Sequence, residues 1–546
     1  MPTFDLHLFV QQFIYDPKNP LLFNNGFFVC FFTLFICLYY SFRNNLTVRR
    51  YIFCLFSLYF FYKASGYFVG LVIISAVFNY FVSNAIYRQQ NKRAKMLLLL
   101  LSILFNVGIL FYFKYTNFFI SISNGLFATH FSALNILLPI GISFFTFENL
   151  SYTIDVYRDE FKPASKFSDY LLFLSFFPKL VMGPIVRAHD FIPQINLPYT
   201  ISDKDFTKGF YLIISGLIKK LIISDYLTVN FVNYIFDDPS RYTGLENLFA
   251  VYGYAMVIYC DFSGYSDIAL GIARWLGFTI PPNFLSPYQS KNITEFWRRW
   301  HISLSSWLRD YLYFPIGGNR KGTIATYFFA TLFFAGSFFA EVKFLQLSYF
   351  ISATITLGLL LLFLLPSIIE KNKKGVATNF NLLTIMLLGG FWHGANWNFI
   401  LWGALHGIAL AVHKIWMLLT GKTVSHVKNS WWYKAIMVTV TFHFVCFAWI
   451  FFKAADFATA TTMLHQILHD FSFDVWGAFY KNYSPVLAMM LIAFLLHAIP
   501  DTLADKVLDS FIKKPMMAYV AVFFMFVVLY GFFKSAEPVL PIYLQF

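Results

Sequence analysis

The amino-acid sequence predicts an all-α polytopic membrane protein with roughly 11–14 transmembrane helices, plus re-entrant and interfacial helices. Three observations carry that class. Apolar runs long enough to cross a hydrocarbon core recur along the chain. Only 12% of the 546 residues are charged, against about 25% in a typical soluble protein, while 58% are hydrophobic and 72 are phenylalanine. The short alternating segments of a transmembrane barrel are absent. No Pro/Gly/Ser-rich linker or soluble-sized polar block interrupts the pattern, which favours a single membrane domain over residues 21–546.

Residues 1–20 read as an N-terminal extension. They carry no basic n-region, and the apolar run from Leu21 lacks a convincing cleavage site, so the first span is expected to stay in the chain. Arg43, Arg49 and Arg50 follow that span, and Arg88, Lys92, Arg93 and Lys95 follow Tyr51–Tyr87. Both loops are assigned to the cytoplasm, and the segment between them crosses out and back with a turn near Lys63–Gly66. The net charge of +14 is therefore explained by orientation, and nucleic acid is not an expected partner. Further apolar stretches lie near 96–124, 134–156, 168–186, 208–236 and 248–275.

The polar, amphipathic region Pro281–Gly322 comes next. Trp297, Trp300, Leu304, Trp307, Leu308 and Tyr311 recur in it at helical spacing, with Arg298, Arg299, Ser305, Ser306 and Arg309 mostly off that stripe. The pattern predicts a helix lying at the membrane interface with its tryptophans in the headgroup boundary. Two apolar runs at 324–369, divided at Glu341–Lys343 and flanked by Arg320–Lys321 and Lys371–Lys374, read as an inserted hairpin peripheral to any chemistry. Later spans fall near 380–396, 398–418, 432–453, 484–500 and 515–534. No internal repeat is evident, which weighs against a transporter built from duplicated halves.

The residues that can carry chemistry are few. The five cysteines (Cys30, Cys37, Cys54, Cys260, Cys446) are scattered in apolar surroundings and read as packing residues. His465 and His469 have one-face helical spacing but lack the glutamate and third ligand of a zinc protease, so no metal site is expected. "GGFWHGANWNFILWGALHG" (Gly389–Gly407) sets His393 and His406 in an otherwise apolar segment. With the chain entering the bilayer near Asn379, His393 lies 14 residues on, ~21 Å along a helix and deep in a core of ~30 Å. Two readings stand: a structural histidine tying helices together, or a neutral imidazole that takes a proton from an alcohol attacking an activated carbonyl. Gly389, Gly390 and Gly394 permit close helix approach or a break. On one continuous helix His406 stands ~20 Å and ~220° from His393, which makes it a packing or pocket-shaping residue.

His301, taken alone, reads as an interfacial and solvated imidazole. Beside it Arg298 and Arg299, and later Arg309 and Arg320, suit the phosphates of lipids or of a nucleotide-bearing donor. Asp261 and Asp267, in "DFSGYSDIALG" (Asp261–Gly271), lie on different faces of one helix and read as helix contacts or tunnel-lining carboxylates.

Together "FFPKLVMGPIVR" (Phe176–Arg187), "DFSGYSDIALG", "FWRRWHISLSSWLRDYLYFPIGGNR" (Phe296–Arg320) and "GGFWHGANWNFILWGALHG" resemble the membrane-bound O-acyltransferase (MBOAT) family, closest to its bacterial polysaccharide branch typified by alginate O-acetyltransferase. Weaker resemblance covers the chain from about Leu21 to Lys453. The resemblance implies helices around a central reaction tunnel, with His393 as catalytic histidine and His301 at a second polar site. Trp297, Arg298, Arg299, Trp392, Asn396, Asp261, Asp267 and His406 are its candidate tunnel or donor-binding residues. It implies no bound cofactor and a cytoplasmic acyl thioester donor, acyl-coenzyme A and above all acetyl-coenzyme A. Its expected partners are membrane lipids and an extracytoplasmic accessory acetyltransferase or other polysaccharide machinery, at the bacterial cytoplasmic (inner) membrane. The rival expectations are D-alanyl transfer to teichoic acid and non-catalytic transport of lipid-linked saccharides. The long hairpin at 324–369 and residues 1–20 depart from the family pattern.

Overall fold

The computed structural model describes residues 11–23, 25–343, 346–370, 374–420, 427–534 and 539–544; residues 1–10 of the N-terminal extension and 371–373 of the second basic cluster lie outside it. All regular structure among the described residues is helical. Nine helical segments there are long and apolar enough to cross a membrane, fewer than the 11–14 expected. Leu46–Arg88 counts once because α1 (Leu46–Ser65) and α2 (Val69–Arg88) are joined only by a short 3-10 turn. That turn sits at Gly66, whose φ of 63° suits glycine, where the sequence predicts one. Other apolar stretches yield helices too short for a ~30 Å core: 134–156 supplies the 16-residue α4 (Ile142–Tyr157), and 168–186 the nine residues Phe167–Ser175 and the four residues Phe177–Leu180.

By backbone contacts the chain forms two compact units. One comprises Met1–Val229, Met256–Asn283 and Ile499–Gln545; the other comprises Asn230–Ala255 and Phe284–Ala498. In the first unit asparagine side chains start several of the helices: Asn45 accepts from the Val48 N–H at the head of α1, and Asn91 accepts from the Arg93 and Ala94 N–H groups at the head of α3 (Lys92–Leu110). Each such cap is worth ~1 kcal/mol. Polar side chains then join the helices across apolar faces. Asn79 of α2 and Asn106 of α3 exchange amide hydrogen bonds of 3.1 and 2.8 Å, and Ser102 donates to Asn79 at 2.8 Å.

Several of the charges buried in this unit are paired with an opposite charge. Arg50 meets Asp169 at 2.6 Å, and Lys179 of the "FFPKLVMGPIVR" segment pairs with Glu148 of α4. Lys220 bridges Asp225 and Asp261 at 2.7 and 2.6 Å. The C-terminal segment closes over that cluster: the Ile542 N–H donates to Asp261 Oδ2 at 2.8 Å, Lys220 reaches the Val539 carbonyl at 3.3 Å, and the Tyr543 ring lies 4.4 Å from Phe262.

The second unit holds the amphipathic region, and here the structure corrects the sequence reading. The aromatic stripe is not one interfacial helix. It is α5 (Ile293–Arg299), capped by Asn292 accepting from the Glu295 N–H, then α6 (Ile302–Leu308), then a π-helical turn at Arg309–Tyr313. Trp300, Leu304, Trp307, Leu308 and Tyr311 are all buried, so the stripe faces protein rather than headgroups. Periodicity reports which face is apolar but not what covers it.

The hairpin at 324–369 forms α7 (Ile324–Lys343) and α8 (Tyr349–Glu370). It does not stand apart. Ala330 and Phe363 join a core with Phe380, Leu383 and Ala411 of α9 (Lys374–His393) and α10 (Trp397–Thr420), and the Phe363 and Phe380 rings stack at 5.8 Å. Of the nine candidate spans, that of α9 has the largest share buried inside the protein, 72%. It is a core helix.

Candidate active site

The segment carrying His393 and His406 is a helical hairpin, not one helix. α9 ends at His393, three residues turn the chain, and α10 begins at Trp397. Glycine makes the turn and the packing possible. A Cβ on Gly390 would stand 2.2 Å from the Phe399 carbonyl oxygen, one on Gly403 2.2 Å from that of Met386, and one on Gly394 2.2 Å from the Phe399 ring. Asn396 is spent on this turn: its Oδ1 accepts from the Asn398 N–H at 2.9 Å and its amide reaches the Ala455 carbonyl at 3.3 Å.

Folding back brings the two histidines to one tryptophan. The ring centroid of Trp402 lies 5.1 Å from that of His393 and 4.7 Å from that of His406. Their separation cannot exceed the sum of those distances, far below the ~20 Å of a continuous helix. The remaining walls come from the same unit. Phe452 and Trp449 of α11 (Trp431–Lys453) lie 5.2 Å from His393 and 5.8 Å from Trp402, and Trp297 of α5 lies 5.2 Å from His406. Such aromatic pairs add ~0.5–1.5 kcal/mol each beyond their area, so the rings are held in place.

His301 is fully buried, which overturns its reading as a solvated interfacial group. It stands between α5 and α6 with φ 42° and ψ 53°, a left-handed conformation uncommon for histidine. That backbone breaks the helix and turns the imidazole inward, 6.1 Å from the ring of Trp392, which in turn lies 4.9 Å from His393. Desolvation pushes the His301 pKa down to about 3, leaving a neutral ring.

The polar groups lining this aromatic cage include several unspent ones. The indole N–H groups of Trp297, Trp402 and Trp449 and both nitrogens of His406 are buried without a hydrogen-bond partner among the described residues. A buried donor left unpaired costs ~1–3 kcal/mol, and a polar ligand in the cage offsets that cost. The arrangement can hold a small polar group among aromatic rings, exclude bulk water, and offer imidazole nitrogens for proton transfer.

The other predicted site residues fall elsewhere. Arg298 is exposed, and Arg299 pairs with Glu295 at 2.7 Å. Asp261 and Asp267 belong to the first unit, where they face lysines: Asp261 meets Lys220, and Asp267 meets Lys219 at 2.6 Å. Sequence reasoning missed Trp402, Trp449 and Phe452 as cage walls, because an aromatic in an apolar span carries no mark of which face it lines.

A sequence model described as "MBOAT, membrane-bound O-acyltransferase family" matches residues 160–340. The chain is 33% identical over 477 residues to the peptidoglycan O-acetyltransferase of Helicobacter pylori, covering 81% of this chain and 79% of that one. It is 34% identical over 463 residues to the probable alginate O-acetylase AlgI of Pseudomonas aeruginosa, covering 83% and 75%. The teichoic acid D-alanyltransferase of Bacillus subtilis is 26% identical over 328 residues, covering 59% and 70%. With its apolar helices and these similarities, the chain is a multi-pass membrane O-acyltransferase and belongs to the membrane-bound O-acyltransferase family.

Proposed function

We propose that this enzyme moves an acetyl group from a cytoplasmic thioester, acetyl-coenzyme A foremost, across the bacterial inner membrane toward hydroxyls of an extracellular or cell-wall polysaccharide, with His393 as general base. The observation that carries this reading is the cage: His393 is buried at the end of α9 between Trp392, Trp402 and Phe452. An acceptor hydroxyl entering it meets an imidazole able to take its proton, in surroundings that limit thioester hydrolysis. Attack of the alkoxide oxygen on the thioester carbonyl forms the ester bond and expels the thiolate, which takes up a proton. His301, neutral and one tryptophan away, orients the second reactant. The acetyl group crosses while the bulky donor stays, and an extracytoplasmic accessory acetyltransferase completes delivery to the polymer.

The O-acetyltransferase relatives are more identical and cover more of the chain than the D-alanyltransferase, which supports acetyl over D-alanyl transfer.

The test is His393→Ala beside His393→Gln. A lost general base lowers the rate ~10²–10⁴-fold. Glutamine keeps hydrogen-bonding groups but does not take up a proton as imidazole does. Both variants should insert and accumulate normally yet leave the purified polysaccharide nearly free of ester-linked acetyl. Near-normal acetylation in the glutamine variant would make His393 a packing residue and shift the search to His301.

A further inference from the structure

The sequence offers several cations near His301, and the structure sorts them. Arg299 is paired with Glu295, and Arg309 with Asp310 at 2.8 Å. Arg298, Arg320 and Lys321 are exposed without a carboxylate partner among the described residues, and of these only Arg320 and Lys321 lie side by side. That pair sits at the end of a tightly specified loop. Gly317 and Gly318 adopt φ of 115° and 55°, and a Cβ on Gly317 would stand 2.1 Å from the Lys321 carbonyl oxygen.

One buried side chain fixes that loop. Asn381 of α9 donates to the Gly318 carbonyl at 2.7 Å and to the Lys321 carbonyl at 3.1 Å, and its Oδ1 accepts from Thr326 of α7 at 2.6 Å. Its amide spans both ends of the glycine turn. The same helix ends twelve residues later at His393, ~18 Å away along its axis. Loop and imidazole therefore ride on one rigid element.

We propose that Gly317–Lys321 is the docking loop for the phosphate end of a phosphopantetheine-type thioester, and that Asn381 is the positioning residue that holds it at a fixed distance from His393. A pantetheine arm carries its thioester well away from its phosphates, so phosphates received at the loop leave the acyl carbon free to approach the far end of α9. Asn381 touches no reacting atom. The inference rests on the thioester reading of the preceding section.

The test compares donors that differ in phosphate. Full-length protein in inside-out vesicles of its own host, lacking the native copy, is supplied with acetyl-coenzyme A or with phosphate-free S-acetyl-pantetheine. Polymer-bound acetyl gives kcat and donor KM. Charge-assisted phosphate contacts are worth ~1.5–3 kcal/mol, about tenfold or more in affinity. R320Q/K321Q should raise the KM for acetyl-coenzyme A at least about tenfold, with kcat within about twofold, and leave the KM for S-acetyl-pantetheine unchanged. Asn381→Ala should reproduce that split, and adding it to R320Q/K321Q should give little further change. The wild-type KM for acetyl-coenzyme A should rise with salt and that of R320Q/K321Q should not.

Acetylated acyl carrier protein, run as a third donor, tells a carrier source from coenzyme A: a KM raised by the loop variants marks the donor that the loop reads. A wild-type KM for all phosphate-bearing donors in R320Q/K321Q, or equal losses with and without phosphate, overturns the loop. An Asn381→Ala that lowers kcat while sparing donor KM overturns its positioning role. Wild-type vesicles that transfer from none of the donors overturn instead the thioester reading beneath the proposal.

Discussion

Gly389 and Gly390 are neighbours on α9, yet alanine at the two positions should have opposite effects. A Cβ on Gly389 meets only Leu308 Cδ1, at 3.5 Å, an ordinary contact. On Gly390 it meets the backbone of α10: the Phe399 oxygen at 2.2 Å, the Phe399 carbonyl carbon at 3.1 Å and the Gly403 Cα at 3.3 Å. The first of these falls more than an ångström short of a comfortable ~3.5 Å, and backbone on both sides leaves no flexible group to yield. The helices must part by ~1 Å. Both substitutions gain ~1 kcal/mol of helix propensity, while the separation costs ~1–3 kcal/mol as overpacking. Gly389→Ala is therefore expected to be neutral or slightly stabilising, and Gly390→Ala to be the less stable of the two by ~1–3 kcal/mol. The effect on activity should be larger than on stability. His393 sits three residues beyond Gly390, and a ~1 Å misplacement of a reacting group can lower a rate ~10²-fold. Thermal unfolding of the detergent-purified proteins reads the first quantity, and ester-linked acetyl on the surface polymer reads the second. Equal stability and equal acetylation in the two variants would refute the close approach of α9 and α10.

Two further outcomes are expected of the same structure. His301→Gly removes the imidazole but suits the left-handed backbone at that position, which offsets part of the cavity left by a fully buried ring, so it should still insert and accumulate and yet transfer poorly; normal polymer acetylation would show that only the backbone break matters. Lys220→Met leaves Asp225 and Asp261 buried without their shared cation and should destabilise the protein by ~3–5 kcal/mol; a variant whose denaturation midpoint in detergent is unchanged would sink that argument.

The class of fold was legible because a bilayer imposes long apolar helices and leaves few alternatives. The turn at Gly66 was legible for the same local reasons. What failed were statements about which neighbour a face meets. The stripe from Trp297 to Tyr311 has the periodicity of an interfacial helix, but in a chain this apolar a buried helix and a lipid-facing one share that pattern. The break at His301 was invisible, since histidine rarely adopts a left-handed backbone and nothing beside it announces one. In the Gly389–Gly407 segment the glycines left open whether the helix continued or folded back. Only packing against Phe399 and Gly403 decides that, and it converts two distant histidines into neighbours of Trp402.

The clasp over Asp261 has a consequence for how the protein is made. Ile542 lies 281 residues beyond the carboxylate that it satisfies. Throughout most of synthesis Asp261 and Lys220 must wait with their shell incomplete, because the segment that covers them has not left the ribosome. A nascent chain stalled before residue 539 would leave that buried polar cluster unfinished. Removal of residues 539–544 should therefore mark the protein for membrane quality control, even though the nine candidate spans among the described residues all precede them.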